Sequence, residues 1–291
     1  MELVQLRRFA EAARSGSLTA AALALHVSQP ALSRDVKALE DELGRTLFIR
    51  KSRSLELTAD GQLLLRRAAD ILEMSERTKS EFRSLADEQG GEVTVGCAES
   101  AHLGFLAEAV EKIRPRFPRM KFHLVNSDSQ IVFDRLERSL IDLAIVMRPA
   151  SPVRFNCVKL PVTERWAAVM RADDPLSRKR HITPDDLRGR DLIVPQLALN
   201  DYLSSWFGER LESLEIAGTS NLFFNGTVFV RKGRWIMLCL EGLVENCQNA
   251  LLCSRPLKPA LESSLYLVWR KHQHLIPAAQ CLLDELKQGA E

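Results

Sequence analysis

The stretch "HVSQPALSRDVKALEDELG", residues 26–44, contains the signals for the beginning and the end of one helix. Ser28 is expected to cap the helix, because a serine hydroxyl accepts a hydrogen bond from a free backbone N–H of the first turn. Pro30 is tolerated in that turn, where the N–H groups have no helical partner. Gly44 is expected to end the helix, since glycine readily adopts the left-handed conformation of a C-terminal cap.

This helix has one apolar face and one polar face. The apolar residues recur at spacings of three and four, which predicts a stripe that packs on a core. They are Leu32, Val36, Leu39 and Leu43. The opposite face carries short hydrogen-bonding side chains near the N-terminus and cations further along, namely Ser28, Gln29, Ser33, Arg34 and Lys37. This order is typical of a recognition helix in the major groove of DNA, and an ordinary solvated helix face is the alternative.

Helices before this stretch and a hairpin after it complete a domain. Two helices with apolar faces precede it, and His26 and Val27 form the tight turn of a helix-turn-helix. "TLFIRKSRSLELT", residues 46–58, has two short alternating apolar runs around a basic turn, which predicts a β-hairpin. A basic hairpin tip beside such a helix resembles a wing that binds backbone phosphate. Residues 1–58 are therefore expected to form an α+β winged helix-turn-helix domain.

A long helix follows the hairpin. Thr58 is expected to cap it, and its apolar residues recur at spacings of three and four up to about Asp87. This narrow seam is typical of a short coiled coil or dimerisation helix. The seam consists of Leu64, Ala68, Ile71, Ser75, Thr78, Phe82 and Leu85. "DEQGGE", residues 87–92, predicts a hinge, so residues 59–91 are interpreted as a linker or dimerisation helix with its hinge.

From residue 92 onward, short apolar strands alternate with helices. "EVTVGC" is the first strand, and the chain ends in a helix at 277–288. Alternating strands and helices predict parallel sheets with helices on both faces. The length of this part suits two α/β subdomains with a ligand cleft between them. Residues 92–291 are therefore assigned to an effector-binding domain. Subdomain I is expected to comprise 92–162 and 265–291, and subdomain II 163–264.

The totals narrow the class of protein. A length of 291 residues suggests two or three domains, and a formal net charge of +2 does not by itself indicate a nucleic-acid binder. The six cysteines form no Cys-x-x-Cys pair, which favours free thiols in a reducing compartment. The N-terminus has no apolar signal core, and no run approaches the roughly 18 apolar residues of a membrane helix. A cytoplasmic protein without a membrane segment is therefore expected.

The sequence also resembles a known family. Residues 27–50, "VSQPALSRDVKALEDELGRTLFIR", are similar to the winged helix-turn-helix of the LysR-type transcriptional regulators and are very specific to that family. The resemblance extends over the whole chain at lower specificity. It is carried there by "VTVGCAES" at 93–100, "DLAIVMRP" at 142–149 and "LVWRKHQHLIPAAQCLLDEL" at 267–286.

The resemblance implies a cytoplasmic, sequence-specific transcription factor with no enzymatic activity, cofactor or metal. Its effector domain would have two Rossmann-like subdomains, as in periplasmic binding proteins. Two chains would pair through the linker helix and bind a quasi-palindromic operator on double-stranded DNA as a homodimer or homotetramer. The implied DNA-binding residues are Ser28, Gln29, Pro30, Ser33, Arg34 and Lys37 in the major groove and Arg50 and Arg53 in the wing. Gln29 and Arg34 are expected to read bases, because glutamine can bond adenine and arginine guanine bidentately.

Polar residues after three predicted strands indicate an effector pocket. In α/β sheets, ligands lie beyond the carboxyl ends of the strands, where the sequence places Ser100, Ser129 and Arg148. A polar rim with one arginine suits a small carboxylate, and the resemblance assigns these residues to effector binding. Glu99 and Asp128 lie on the same rim and would repel an anion unless paired, so an amphoteric or neutral effector stays open. Ordinary helix caps and a surface arginine are the alternative.

The second subdomain contributes weaker candidates. "SNLFFNGTVFVRKG", residues 220–233, is expected to line the other side of the cleft through Asn225 and Thr227. The family often has an apolar Gly-Leu-Gly-Ile-like turn here, whereas this chain reads "KGRWIM" at 232–237. That departure leaves the usual pocket wall and the response to an effector open.

Three rival functions have weaker support. An enzyme could use Cys97 or Ser100, which lie at a strand-to-helix turn, but no Gly-x-Ser-x-Gly elbow surrounds Ser100. A metal sensor could use His123, His272 and His274, but a spacing of two suits a helical site poorly. A redox sensor would need an exposed, acidic thiol. The candidate thiols for that reading are Cys97, Cys239 and Cys247.

Overall fold

Helices and one hairpin form the first part of the chain. The computed structural model describes residues 1–51, 54–87, 89–244 and 251–290, and it divides into an N-terminal unit, Met1–Phe82, and a C-terminal unit, Arg83–Glu291. The first elements are α1 (Leu3–Ser15), α2 (Leu18–Ala24), α3 (Gln29–Leu43), β1 (Phe48–Arg50), β2 (Leu55–Leu57) and α4 (Ala59–Ala86). β1 and β2 pair antiparallel. The predicted helix-turn-helix and hairpin are therefore confirmed.

The caps predicted from the sequence are formed. The Ser28 hydroxyl accepts from the backbone N–H three residues later at 3.3 Å, and the Thr58 hydroxyl does the same at 2.9 Å. Gly44 ends α3 in the left-handed conformation, with φ of 63°. His26, in the turn between α2 and α3, has φ of 53°, a region that non-glycine residues seldom adopt. Local chemistry therefore determines where α3 begins and ends.

One core holds α1, α2, α3 and the start of α4 together. Its largest fully buried side chains are Leu6, Phe9, Leu32, Leu39 and Leu47. Burying each of them stabilises the fold by about 1.5–3 kcal/mol. The predicted stripe of α3 faces this core, except that Leu43 in the last turn stays 40% exposed. The apolar face of α3 is therefore buried inside the N-terminal unit, and its polar face points outward.

The long helix α4 contributes its first turns to the same core. Ala68 is fully buried there and Leu64 packs against it, so these two seam residues contact their own chain. The predicted seam is therefore wrong at these positions. Among the described side chains of α4, the large apolar ones that are exposed are Leu63, Ile71 and Phe82, and they lie within about 100° of one another around the helix. The boundaries predicted at residues 58 and 91 stay predictions.

Strands and helices alternate through the C-terminal unit. Its strands are β3 (Gly90–Cys97), β4 (Arg119–Asn126), β5 (Leu143–Val146), β6 (Phe155–Arg171), β7 (Asp191–Val194), β8 (Glu215–Thr219), β9 (Ile236–Leu240), β10 (Leu252–Pro256) and β11 (Glu262–Arg270). Its helices are α5 (Gly104–Ile113), α6 (Ser129–Glu137), α7 (Gln196–Ala198), α8 (Ser204–Phe207), α9 (Phe223–Lys232) and α10 (Pro277–Gln288). A π-helical turn, Leu199–Leu203, joins α7 to α8.

Two groups of parallel strands flank a pair of antiparallel ones. The strand order is β4-β3-β5-β11-β6-β9-β7-β8, with β10 paired to β6. β3 is parallel to β4 and β5, and β7 is parallel to β8 and β9. β6 and β11 are antiparallel to each other and connect the two groups. The α/β class is confirmed, and the expectation of parallel sheets is wrong for β6, β11 and β10, because β10 also pairs antiparallel with β6.

Each group of strands has its own buried cluster, one around Val95, Leu143 and Leu282 and the other around Trp166, Leu192 and Phe207. The C-terminal unit therefore consists of two subdomains, which share β6 and β11 as connections. Among the described helices, none is long and apolar enough to cross a membrane.

Candidate functional site

The polar face of α3 is open to solvent. Its exposed residues are Ser28, Gln29, Pro30, Arg34 and Lys37, with Ser33 partly exposed. The side chains of Gln29 and Arg34 form no hydrogen bond or ion pair with any residue that the structure describes. Lys37 differs, because its ammonium group lies 2.9 Å from the Asp41 carboxylate. The two side chains expected to read bases are therefore available to an external partner.

The chemistry of this face matches a DNA groove. A glutamine amide both donates and accepts hydrogen bonds, and a guanidinium donates two in parallel, which are the requirements for bonding the major-groove edges of adenine and guanine. The backbone N–H groups in the first turn of α3 add a partial positive charge that favours phosphate. Base contacts and backbone contacts are thus offered by one end of one helix.

The wing can be placed only in part. Arg50 ends β1 opposite Leu55 of β2, while its side chain and the whole of Arg53 lie outside the described residues. Lys51 lies 2.7 Å from Glu56, so its charge is paired within the hairpin. The predicted phosphate contacts of Arg50 and Arg53 therefore stay predictions.

A cavity lies between the two subdomains of the C-terminal unit. The parallel strands β3, β4 and β5 end at the same edge, where Glu99, Asp128 and Arg148 line the cavity. It contains about 810 Å³ of empty space including its open mouth. Most of its wall is apolar, and this part includes Met147, Trp166, Leu197, Phe223, Met237 and Leu240.

Two contacts made by charged side chains join the subdomains across this cavity. The Glu99 carboxylate accepts a hydrogen bond from the backbone N–H of Phe223, the first residue of α9, at 2.6 Å. The Arg148 guanidinium donates to the Asp201 carboxylate at 3.0 Å. Glu99 and Arg148 are therefore each paired with a group of the opposite subdomain.

Tyr202 forms a third contact across the cavity. Its hydroxyl donates to the carbonyl of Met147, and its ring lies 6.1 Å from that of Trp166. Burial, followed by the negative charge of Asp201, raises the pKa of Tyr202 to about 12. The hydroxyl therefore stays protonated at neutral pH and keeps its role as a donor.

Ser100 directs its hydroxyl away from the cavity. It donates to Glu164, a fully buried carboxylate on β6, and it is not among the described residues that line the cavity. Nδ1 of His102 lies 3.1 Å from the other oxygen of Glu164. The carboxylate therefore separates the serine from the imidazole, and the two do not form the serine–histidine pair used in nucleophilic catalysis.

The remaining predicted residues fall into two groups. Ser129, the first residue of α6, and Arg148 line the cavity. Asn225 is exposed on α9, and the Thr227 hydroxyl donates to the carbonyl of Phe224 at 2.7 Å. Neither Asn225 nor Thr227 is among the described lining residues. The polar residues that the second subdomain supplies are Gln196, Asp201, Tyr202, Ser220 and Asn221.

Asp201, Tyr202 and Trp166 line the cleft without a recognisable signal in the sequence. Asp201 and Tyr202 belong to the π-helical turn, where the backbone departs from the regular helical period. Trp166 lies in the middle of β6 and resembles any other buried strand residue. A motif search has no means of finding side chains that meet only through the tertiary fold.

Neither thiol chemistry nor a metal centre gains support from the described residues. Burial, and next the charge of Glu99, raises the pKa of Cys97 to about 11, and its thiol donates to Asn126 at 2.9 Å. Cys239 is buried as well, and Cys247 lies outside the described residues. Within the described ranges, no group of three or more His, Cys, Asp or Glu side chains could hold a metal ion.

Comparison with known proteins places both parts of the chain in one family. The family model described as "Bacterial regulatory helix-turn-helix protein, lysR family" matches residues 3–62. The family model described as "LysR substrate binding domain" matches residues 86–291. The second match alone spans more than half of the chain.

Individual relatives agree with these matches. The Hca operon transcriptional activator HcaR of Escherichia coli (strain K12) is 27% identical over 276 residues, which cover 93% of this chain and 92% of HcaR. The transcriptional regulator CysB of Burkholderia cenocepacia is 32% identical over 67% of this chain and 63% of CysB. The crystal structure of CbnR, a LysR family transcriptional regulator, has the same fold, with a TM-score of 0.77 at 20% identity over 100% of both chains. The protein therefore belongs to the LysR family of bacterial transcriptional regulators.

Proposed function

We propose that this regulator reads a quasi-palindromic operator through Gln29 and Arg34 and responds to a small molecule bound in the cleft of its C-terminal unit. The observation that carries the proposal is the exposed polar face of α3, on which the side chains of Gln29 and Arg34 lack a partner among the described residues. A relative supports it, because a second crystal structure shows full-length CbnR complexed with its target DNA, with a TM-score of 0.75.

The other residues of this face have positioning roles in the proposal. Ser28, Ser33 and Lys37 approach phosphates beside the bases, and Arg50 and Arg53 hold the backbone from the wing. Contacts of this kind fix the register of a protein on DNA without carrying sequence information. Lys37 would exchange its contact with Asp41 for a phosphate, which costs little because both side chains are exposed.

Two chains are needed to bind two half-sites. Leu63, Ile71 and Phe82 of α4 and Phe224 and Phe229 of α9 are large apolar side chains left in water. Exposed apolar groups of this size favour association, which supports a homodimer or homotetramer. Two recognition helices would then meet half-sites about one DNA turn, roughly 34 Å, apart.

The cleft has a regulatory role in the proposal and no catalytic one. Contacts between the subdomains cross the cavity, so a bound ligand would change the distance between them. A ligand that binds the open and closed forms with different affinity would then shift their populations. The Ser100 hydroxyl, held by Glu164, supports the absence of an enzymatic activity. Action on DNA also favours a cytoplasmic location.

Binding to operator and to random DNA tests the assignment of Gln29 and Arg34. The operator is first recovered by footprinting the full-length protein on fragments of its host genome. Gln29→Ala and Arg34→Ala should each weaken operator binding by about 10- to 100-fold, the value of one bidentate base contact, with little change on random DNA. Arg53→Ala should weaken binding to operator and to random DNA alike. It should also lower the slope of log affinity against log salt concentration by about one, the value of one phosphate contact. Arg7→Ala is the matched control, because it removes an arginine of α1 that is paired with Glu76 of α4 and is not among the predicted DNA contacts.

Two outcomes would contradict the proposal. If Gln29→Ala lowers the affinity for operator and random DNA by the same factor, Gln29 contacts the backbone and does not read a base. If footprinting recovers only salt-sensitive binding without a preferred sequence, the protein is an architectural DNA binder or needs its effector to read DNA.

A further inference from the structure

We infer that Glu99 sets the charge specificity of the cleft, and that the effector is a small apolar molecule with a positive charge, such as an arylalkylamine. This inference rests on the effector site proposed above and assigns its ligand class. It follows from the partners that the charged groups of the cavity already have.

The first point concerns the helix end that faces the cavity. The N-terminus of a helix attracts anions through its free N–H groups and its dipole. In this cleft the N–H of Phe223, at the start of the ten-residue helix α9, is bonded to the Glu99 carboxylate at 2.6 Å. Glu99 therefore occupies the position that the carboxylate of an anionic effector would need.

The second point concerns the arginine. Arg148 is the only cationic side chain among the described residues that line the cavity. Its guanidinium is bonded to Asp201 of the opposite subdomain at 3.0 Å. An anionic effector at Arg148 would have to share the guanidinium with the Asp201 carboxylate, whose negative charge would repel it.

The third point is the balance of charge. The described lining contains three carboxylates, those of Glu99, Asp128 and Asp201, against the one guanidinium of Arg148. Asp128 accepts from the backbone N–H of Ile131 at 3.0 Å, so it stays close to the cavity as the cap of α6. The excess of negative charge in the described lining would repel an added anion and attract an added cation.

The last point is the body of the ligand. The rings of Trp166, Tyr202 and Phe223 and the thioethers of Met147 and Met237 line the same cavity. Aromatic rings accept a cation over their faces and an apolar group at any edge. A ligand that joins an apolar ring to an ammonium group would use both parts of this wall.

Three probes that differ mainly in charge test the inference on the full-length protein. Benzylamine is cationic, benzyl alcohol neutral and benzoate anionic at neutral pH, and all three carry one phenyl ring. Their dissociation constants are obtained from the shift of thermal unfolding, followed by tryptophan fluorescence. This signal reports on the C-terminal unit, because Trp166, Trp206, Trp235 and Trp269 are the four tryptophans of the chain.

The variants separate the role of Glu99 from a general effect of charge. Glu99→Gln keeps an oxygen that can accept from Phe223 and removes the negative charge. Glu99→Ala frees that N–H altogether. Glu92→Gln, at an exposed carboxylate 3.6 Å from Lys121, is the matched control. In the wild type and in Glu92→Gln, we expect benzylamine to raise the unfolding temperature more than benzoate does. In Glu99→Gln, the ratio of the benzoate to the benzylamine dissociation constant should fall at least tenfold. Benzoate should gain most in Glu99→Ala.

Several outcomes would overturn the inference and are distinct from failure of the proposed function. If benzoate stabilises the wild type more than benzylamine, the effector site stands and its ligand class is wrong. If the preference is the same in Glu99→Gln as in the wild type, Glu99 does not set it. If no probe shifts unfolding at millimolar concentration, the inference fails, while the operator experiment on Gln29 still decides the function.

Discussion

The recognition helix and the effector cleft present their polar side chains in opposite ways. The polar residues of α3 lie within positions 28–37, and Gln29 and Arg34 have no partner among the described residues. The charged residues of the cleft come from distant parts of the chain, and Glu99 and Arg148 are both bonded across the cavity. The side chains of Gln29 and Arg34 are therefore available to a ligand, whereas charged side chains of the cleft are already bonded to the opposite subdomain.

This difference has a consequence for substitutions. A side chain without an internal partner can be changed with little effect on folding, so its loss affects binding alone. A side chain that bonds across a cavity contributes to stability and to ligand binding at once.

The largest difference is expected in the scaffold beneath each surface. In α4, a methyl group added at Gly61 would lie 2.2 Å from the backbone carbonyl oxygen of Leu47, which cannot move without shifting the hairpin. In β3, a methyl group at Gly96 would meet the side-chain atoms of Ile141 and Val132 at 2.6 and 3.0 Å, which can rotate away. Gly61→Ala should therefore cost about 3 kcal/mol or more, and Gly96→Ala about 1–2 kcal/mol.

Two spectroscopic signals separate these effects. Tryptophan fluorescence follows the C-terminal unit alone, and far-UV circular dichroism follows both units. Gly61→Ala should lower the urea midpoint seen by dichroism and leave the fluorescence midpoint in place, while Gly96→Ala should lower the fluorescence midpoint. A larger loss for Gly96→Ala would show that the cleft unit is the more rigidly packed of the two.

The next effect depends on pH and belongs to the cleft unit. Burial and the charge of Glu99 raise the pKa of Cys97 from its ordinary value of 9.0 to about 11. The unfolded chain then loses the thiol proton at lower pH than the folded chain. The stabilising contribution is complete below pH 9 and is lost as the pH rises toward 11, by about 2–3 kcal/mol in all.

Urea unfolding followed by tryptophan fluorescence measures this contribution. The stability of the wild type relative to Cys97→Ala should fall steadily over that pH interval. Cys157→Ala, at an exposed cysteine of β6, is the control and should run parallel to the wild type. A constant difference between the wild type and Cys97→Ala would mean that the thiol ionises alike in the folded and unfolded states.

A smaller effect compares the two surfaces directly. Tyr202→Phe removes the hydroxyl that donates to Met147 across the cleft, which should lower the stability of the C-terminal unit by about 1 kcal/mol. Gln29→Ala should change the stability of the N-terminal unit by no more than about 0.5 kcal/mol, since its side chain has no partner there among the described residues. Equal losses in the two variants, measured by urea unfolding, would remove the contrast between a free and an occupied surface.

The same contrast explains how much the sequence could predict. The caps at Ser28 and Thr58, the stop at Gly44 and the outward face of α3 depend on residues a few positions apart, so local spacing was sufficient. The seam of α4 was misjudged at Leu64 and Ala68. Its periodicity shows that a face is apolar and does not show which neighbour covers it.

The cleft could be predicted only at the strand ends. Ser129 and Arg148 follow β4 and β5, and the rule for α/β sheets placed them at the cavity. Their partners could not be found in this way, because Asp201 and Tyr202 reach the cleft from a π-helical turn in the other subdomain. The first half of the long strand β6 could not be predicted either, because Pro161 and charged residues interrupt its apolar pattern.

The smallest effect concerns turns in which a non-glycine residue has positive φ. His26, in the turn before α3, has φ of 53°, and His272, after β11, has φ of 56°. Glycine adopts this region without a steric cost, although it loses more backbone entropy on folding. Because the steric gain is the larger effect, His26→Gly and His272→Gly should each raise the free energy of unfolding by about 0.5 kcal/mol. In thermal unfolding, His272→Gly should raise the midpoint temperature measured by tryptophan fluorescence. His26→Gly should leave that midpoint unchanged and raise the midpoint of the N-terminal unit, which is measured by circular dichroism. A loss of stability in His26→Gly would mean that contacts of the imidazole stabilise the helix-turn-helix by more than the backbone conformation of His26 costs. His26 would then resemble the cleft residues, whose side chains are bonded within the protein.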